Sequence, residues 1–189
     1  MDQIGIKYSV VITPDDEGTL YVDGLKDELF SEIGWYNSRS SKAPVTICEF
    51  FANEQKLNAV VRKLKEIACF EKPIYLNFEG VDSYPNGAVF IKPTEDTKAP
   101  LKELMVRVQK QLNIKTSYKS GDPHISVGRQ LRTENVQIAS KMFEDAKLSF
   151  NCSNIVLRKF IGEKQFELFS TDFPFLGLPP KPDAQTSLF

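Results

Sequence analysis

Apolar residues recur along this chain with two periods, alternate and roughly every third or fourth, and the switches between them outline its elements. The β-branched run Tyr8 to Ile12 (YSVVI), closed by Thr13-Pro14, predicts a strand. Leu25, Leu29, Phe30 and Ile33 then fall at helical spacing, with Gly34 placed to end that helix. Val45 to Phe51 (VTICEFF) predicts a second strand. Asn53 stands where its side chain can cap a helix whose apolar positions are Leu57, Val60, Val61, Leu64, Ile67 and Ala68. After Lys72-Pro73, Ile74 to Phe78 (IYLNF) and Ala88 to Lys92 (AVFIK) flank the turn signal Pro85-Asn86-Gly87, which predicts a hairpin.

The second half runs through similar elements in the same order. Leu101, Leu104, Met105, Val108 and Leu112 mark a helix that Pro100 is expected to begin, since proline suits a first turn. A strand over His124 to Leu131 (HISVGRQL) follows, then Thr133 as a cap and a helix with Val136, Ala139, Met142, Phe143 and Ala146 turned inward. A strand through Ile155 to Phe160 comes next, and Gln165 to Ser170 is expected to end the ordered part. A shift of eighty carries Tyr8 to Ala88, Pro44 to His124, Thr46 to Ser126, Asn53 to Thr133 and Ile74 to Asn154. Identity between the halves is low, so what repeats is the pattern. Residues 1–176 are expected to form one bilobal domain with exchanged strands, its lobes containing about 44–80 and 124–162. The tail from Gly177 (GLPPKPDAQTSLF) lacks periodicity and is expected to be a flexible extension.

With 189 residues, 41% of them hydrophobic, the chain can bury a core without covalent staples. Lys plus Arg total 24 against 25 for Asp plus Glu, a balance that argues against broad binding to duplex nucleic acid but leaves room for a local phosphate site. Cys48, Cys69 and Cys152 are odd in number, far apart and set among apolar residues, which points to core filling in a reducing compartment. The opening Met1-Asp2-Gln3-Ile4 has no basic segment leading into an apolar run, and no stretch approaches a membrane span, so a cytoplasmic setting without membrane association is expected.

Candidate chemistry gathers at the only histidine. Side chains alternate along a strand, so His124 and Ser126 share one face, and Thr46 and Cys48 share the corresponding face of the first lobe. If the lobes face each other, the two tripeptides Pro44-Val45-Thr46 and His124-Ile125-Ser126 meet in one cleft. There an imidazole can exchange a proton near neutral pH, and two hydroxyls can donate hydrogen bonds to phosphate oxygens. Arg129 is a candidate phosphate ligand, but strict alternation turns it away from His124 unless a bulge intervenes. Trp35, Tyr36 and Tyr118, with Arg39, Lys42, Lys115 and Lys119 nearby, form the kind of aromatic and basic mixture that stacks a base and steers its phosphate. Blander readings stand beside these: a structural histidine bonded to backbone, strand hydroxyls without a ligand, and edge packing with solvated charge. The Phe-rich stretches FELF and FPFL are read as core.

With these residues in place, the chain resembles the two-histidine (2H) phosphoesterase superfamily, the group that includes bacterial 2′-5′ RNA ligases and cyclic nucleotide phosphodiesterases. That family carries two His-x-Thr/Ser motifs, one per lobe, each near a strand start. The second is present as PHISVGRQL; the first survives as APVTICEFF, with Pro44 where the family has histidine. The resemblance, which runs from Tyr8 to about Phe173, implies an α+β, bilobal fold with antiparallel-rich sheets from two pseudo-twofold lobes, helices outside and a central cleft. It implies metal- and cofactor-free chemistry on a cyclic nucleotide or RNA-end phosphodiester, with His124 as acid or base and Thr46, Ser126 and Arg129 holding the phosphate. Pro44 has neither a titratable group nor an N–H, so the resemblance leaves two outcomes: a weakened enzyme, or a non-catalytic nucleotide- or RNA-end-binding module. The implied partner is a small nucleotide or RNA end, with no extended duplex and no membrane.

Overall fold

The computed structural model describes residues 5–42, 44–161, 165–168 and 173–180. The first lobe's strand β1 (Ile6–Ile12) leads into helix α1 (Asp16–Ile33), which starts where the Asp15 carboxylate accepts the amide of Gly18 at 2.8 Å. It stops at Gly34, whose positive φ of 76° lets its N–H return to the carbonyl of Phe30. Strand β2 (Val45–Ala52) and helix α2 (Glu54–Phe70) follow, the Asn53 side chain capping α2 as its position suggests. Strands β3 (Ile74–Ser83) and β4 (Val89–Pro93) form the expected hairpin, and α3 (Glu95–Leu112) leads to the short β5 (Tyr118–Lys119). Then come β6 (Ile125–Gly128), α4 (Thr133–Met142), β7 (Lys147–Cys152), β8 (Asn154–Ile161), β9 (Gln165–Leu168) and β10 (Phe173–Pro174).

The strands make two sheets. One has the order β10-β8-β1-β2-β5 with β9 beside β8, and the other has the order β6-β4-β3-β7; every described pairing is antiparallel. The repeat is visible as topology, for β8-β1-β2 in one sheet corresponds to β3-β4-β6 in the other. Helix α2 packs on the first sheet, α4 and α1 on the second, and α3 touches β2 of the first and β3 of the second. Each sheet therefore buries one face under helices in a core that includes Phe50, Leu64, Phe78, Leu104, Ile125 and Phe150, and leaves its other face to the cleft. No described helix is long and apolar enough to cross a membrane.

Several expectations are corrected. Helix α3 begins at Glu95 and holds Pro100 inside it, so the ring sits past the first turn and removes one amide from the helix ladder. Arg132 takes the cap position of α4, and Thr133 is its first residue without a capping hydrogen bond. That helix ends at Met142, which is exposed rather than inward. The strand expected over His124 to Leu131 is shortened to Ile125–Gly128 because Gln130 takes a positive φ of 55°, which breaks the extended backbone. Strand β7 escaped the sequence reading although it alternates cleanly, with Leu148, Phe150 and Cys152 buried, because Ala146 just before it extends the apolar pattern of α4. Cys48 and Cys152 are buried and all three thiols are free. Phe173 and Phe175 are core, whereas the side chains of FELF lie outside the described residues. Of the tail, Gly177 and Leu178 donate backbone hydrogen bonds to Glu71 and Cys69 at the end of α2; residues 181–189 lie outside the described ones.

Candidate functional site

The two motif strands each contain one residue too many. Along β2, Thr46 faces Val11 and Cys48 faces Val10, so Ile47 has no counterpart on β1. Along β6, Ser126 faces Phe90 and Gly128 faces Val89, so Val127 has none on β4. Both extra residues are fully buried, and they are related by the shift of eighty. A side chain from outside the strand reaches the carbonyl of each extra residue: Gln109 of α3 donates to Ile47 at 2.8 Å, beside the Ser120 amide at 3.1 Å, and the Tyr36 hydroxyl lies 3.4 Å from the Val127 carbonyl and 3.3 Å from that of Lys26.

A bulge reverses which parity of residue faces the cleft. On one wall the facing residues run Pro44, Thr46, Glu49; on the other they run His124, Ser126, Arg129. Pro44, Thr46, His124, Ser126 and Arg129 thus line one cleft of about 780 Å³. Arg129 joins His124 because of the bulge at Val127, so the alternation that turned it away is overcome. For the same reason Cys48 leaves the face of Thr46 and is buried, and Glu49 takes its place.

His124 is half-buried at the entry to β6. Its Nδ1 lies 2.8 Å from the carbonyl oxygen of Asp122, which only accepts, so Nδ1 carries the proton and Nε2 of the neutral ring keeps its lone pair. Phe90 packs against the imidazole at 5.0 Å between centroids, and Tyr84 meets it edge-on at 5.6 Å. Burial pulls the imidazole pKa below 6.5 and Arg129 adds to that; the Asp122 carbonyl and carboxylate oppose it without prevailing. The Tyr84 hydroxyl donates to the Asp122 carboxylate, and burial together with that bond keeps the phenol protonated far beyond neutrality.

The first sheet carries a row of cross-strand neighbours, Arg158 opposite Ser9, Ser9 opposite Glu49, and Glu49 opposite Tyr118, of which Glu49 and Tyr118 line the cleft. Arg158 is buried beneath the cleft with its Nε 3.3 Å from the Ser9 hydroxyl; burial and Arg129 lower its pKa to about 10, while Glu49 holds it up. It remains a cation at neutral pH. Glu49 pairs with Lys7 at 2.6 Å, and Lys7 also lies 4.4 Å over the ring of Phe160. Among the described residues Arg129 takes part in none of the ion pairs, and its amide donates to the Ser38 hydroxyl at 2.9 Å. The Ser38 loop is tied down from within by Lys26, a buried lysine of α1 that donates to the carbonyls of Ser38 and Ser41.

Of the aromatic and basic candidates, only Tyr118 lines the cleft. Tyr36 is buried under the bulge, and Trp35 is exposed without lining the opening. Arg39 and Lys42 are paired with Asp27 and Asp23, and Lys115 and Lys119 do not line the cleft. The sequence reading missed Lys7, Glu49, Tyr84, Asp122 and Arg158. Glu49, inside APVTICEFF and eighty residues before Arg129, and Asp122, beside Pro123 and His124, stood within reach of a motif; Lys7, Tyr84 and Arg158 belong to none.

A model of the 2′-5′ RNA ligase superfamily matches residues 25–163, nearly three-quarters of the chain. The chain belongs to that superfamily. Its fold is similar to that of E. coli LigT crystallised with NADP+, with a TM-score of 0.67 over 91% of this chain and 99% of that one at 13% identity. It is similar also to TT0787 of Thermus thermophilus, with a TM-score of 0.63 over 91% and 99% at 14% identity. Kluyveromyces marxianus Usb1 gives 0.53 over 90% and 98% at 13% identity. No curated protein matches the chain in sequence. On the β2 wall of this member of the 2H phosphoesterase superfamily, buried Pro44 occupies the place that His124 holds on the other wall. Among the described residues no group of three His, Cys, Asp or Glu side chains is gathered to hold a metal ion.

Proposed function

We propose that this protein takes the phosphodiester of a cyclic nucleotide or an RNA end into the cleft and acts on it with His124 as a single proton carrier. The observation that supports this is the meeting of His124, Ser126, Thr46 and Arg129 at one opening, with Nε2 of the imidazole left as a base. In this reading the Thr46 and Ser126 hydroxyls donate to non-bridging oxygens, and Arg129 supplies charge backed from below by Arg158. His124, neutral at pH 7, takes a proton from the attacking hydroxyl or water as its oxygen bonds to phosphorus. The P–O bond to the leaving oxygen breaks, and that oxygen draws its proton from solvent, since Pro44 has none to give. Losing one acid–base partner costs about 10²- to 10⁴-fold in rate. E. coli LigT has been crystallised with NADP+, 3′-AMP, phosphate and ATP, which belong to the same phosphate-bearing class of ligand. The free thiols fit a reducing, cytoplasmic setting.

Turnover of 2′,3′-cyclic nucleotides by the purified protein, set against His124→Ala, tests this. A fall of about 10²-fold or more in the variant is expected; equal rates would dispose of the enzymatic form. Pro44 itself favours a second reading, a binding module that keeps the phosphate cradle without catalysis. It expects saturable calorimetric binding of a nucleoside phosphate, weakened by Ser126→Ala, in a wild-type protein that turns nothing over.

A further inference from the structure

The β2 wall keeps a carboxylate where the β6 wall has a guanidinium, and Glu49 is surrounded as a recognition group would be. Lys7 holds one of its oxygens at 2.6 Å, which fixes the carboxylate and leaves further lone pairs open. Tyr118, its direct cross-strand neighbour, is 45% exposed and lines the same cleft, so its ring is accessible to a planar partner. Thr46 and Glu49 are separated along β2 by about 7–10 Å at strand rise, less what the bulge takes up. A nucleoside phosphate whose phosphate sits at Thr46, Ser126 and Arg129 thus has its base within reach of Glu49 and Tyr118.

Resting on the function proposed above, we infer that Lys7, Glu49 and Tyr118 form a nucleobase subsite selective for guanine. The donors and acceptors decide the base. Guanine presents an acceptor, O6, followed by two adjacent donors, N1–H and the N2 amino group. An ammonium beside a carboxylate is complementary to that edge: Lys7 donates to O6, and Glu49 accepts from N1 and N2. Adenine, cytosine and uracil each offer this carboxylate a single donor, with an acceptor beside it. They forgo one charge-assisted hydrogen bond, which corresponds to about ten- to a hundredfold in affinity. Stacking on Tyr118 serves every base alike and adds affinity without selectivity.

Calorimetric titration of the full chain with the four 2′,3′-cyclic mononucleotides and with inorganic phosphate tests the inference. The guanosine compound is expected to bind at least about tenfold tighter than the uridine compound. Glu49→Gln should bring all four to within about threefold of one another, because an amide offers one acceptor in place of two. Tyr118→Ala should weaken all four by a similar factor, about tenfold, and keep their order. Wild-type protein that binds phosphate and all four nucleotides within about twofold overturns the guanine subsite alone, as does selectivity that survives Glu49→Gln. Wild-type protein that binds neither phosphate nor any nucleotide overturns the function on which the subsite rests, and the subsite with it.

Discussion

Glu49 and Arg129 hold the same place in their respective lobes, each three residues beyond a hydroxyl-bearing position and each turned into the cleft by a single extra residue, Ile47 or Val127. The backbone device repeats while the chemistry does not. One wall carries Pro44, Thr46 and a carboxylate; the other carries His124, Ser126 and a guanidinium. A cleft built on matching frames with unlike side chains can tell one end of a ligand from the other, which a symmetric pair of walls cannot do.

The imidazole should titrate below 6.5, and because the chain has one histidine its ring resonances report this without assignment. A lowered pKa means that the base form is already complete at neutrality. Any His124-dependent rate should therefore be flat through pH 7 and fall with acid only below 6.5. Tyr84→Phe should move the NMR midpoint upward, since the Asp122 carboxylate, relieved of the hydroxyl, presents more of its negative charge to the imidazolium. A wild-type midpoint at or above 6.5 contradicts the electrostatics described here.

Pro44→His places a second imidazole at the position that matches His124. Under the single-carrier reading, cyclic phosphodiesterase activity should rise by about 10²-fold or more, because the leaving oxygen then has a proton donor. A stopped assay on a 2′,3′-cyclic nucleotide, with melting temperatures to show that both proteins are folded, decides it. An unchanged rate in a folded variant would mean that the β2 wall does not address the reacting bond.

Gly87→Ala should destabilise the protein by roughly 2–4 kcal/mol, measured as a shift in urea midpoint. Gly87 has a φ of 82°, and a Cβ there would collide with the carbonyl oxygen of Leu131 and lie 2.7 Å from its amide nitrogen. The clash is with backbone, which cannot step aside as a flexible side chain would. The Gly87 carbonyl also accepts the Leu131 amide at 3.0 Å, so the substitution strains the segment that follows Arg129 as well. A variant as stable as wild type would show that this turn has slack.

Lys26 gives a stability signature in alkali. Burial pulls its pKa from 10.5 to about 8. Below pH 8 the folded and unfolded forms are both protonated and the full cost of burying the charge is present. Between pH 8 and 10.5 the unfolded chain holds the extra proton, so this group makes stability rise with pH, by at most roughly 3 kcal/mol. Denaturant titrations of wild type and Lys26→Met across that range isolate the effect as a widening difference in favour of wild type. A difference that stays constant or narrows would place the lysine in a wetter site than the one described.

How much of this was legible in advance depends on how local the cause was. Asn53 and Gly34 began or ended helices where the sequence put them because capping involves only atoms a few residues apart. Pro100 misled for the mirror-image reason: its preference for a first turn is weak, and the packing of Leu101, Leu104 and Val108 carries α3 through it. His124, Thr46 and Ser126 were found because an equal spacing in two halves survives in one dimension. Glu49 was missed because it lies on the face that strict alternation assigns to the core.

By itself the sequence determined the order of the helices and of most strands, the eighty-residue repeat and the two matched tripeptides, all of which follow from periodicity and from short-range backbone preferences. Only the tertiary structure decided that Arg129 faces His124 and that Cys48 yields to Glu49. It also gathered Lys7 and Tyr118 around the same space and brought buried Arg158 within electrostatic reach of Arg129 and Glu49. Those outcomes depend on which residue of one strand lies opposite which residue of another, and a bulge shows itself only when both partners of a ladder are paired.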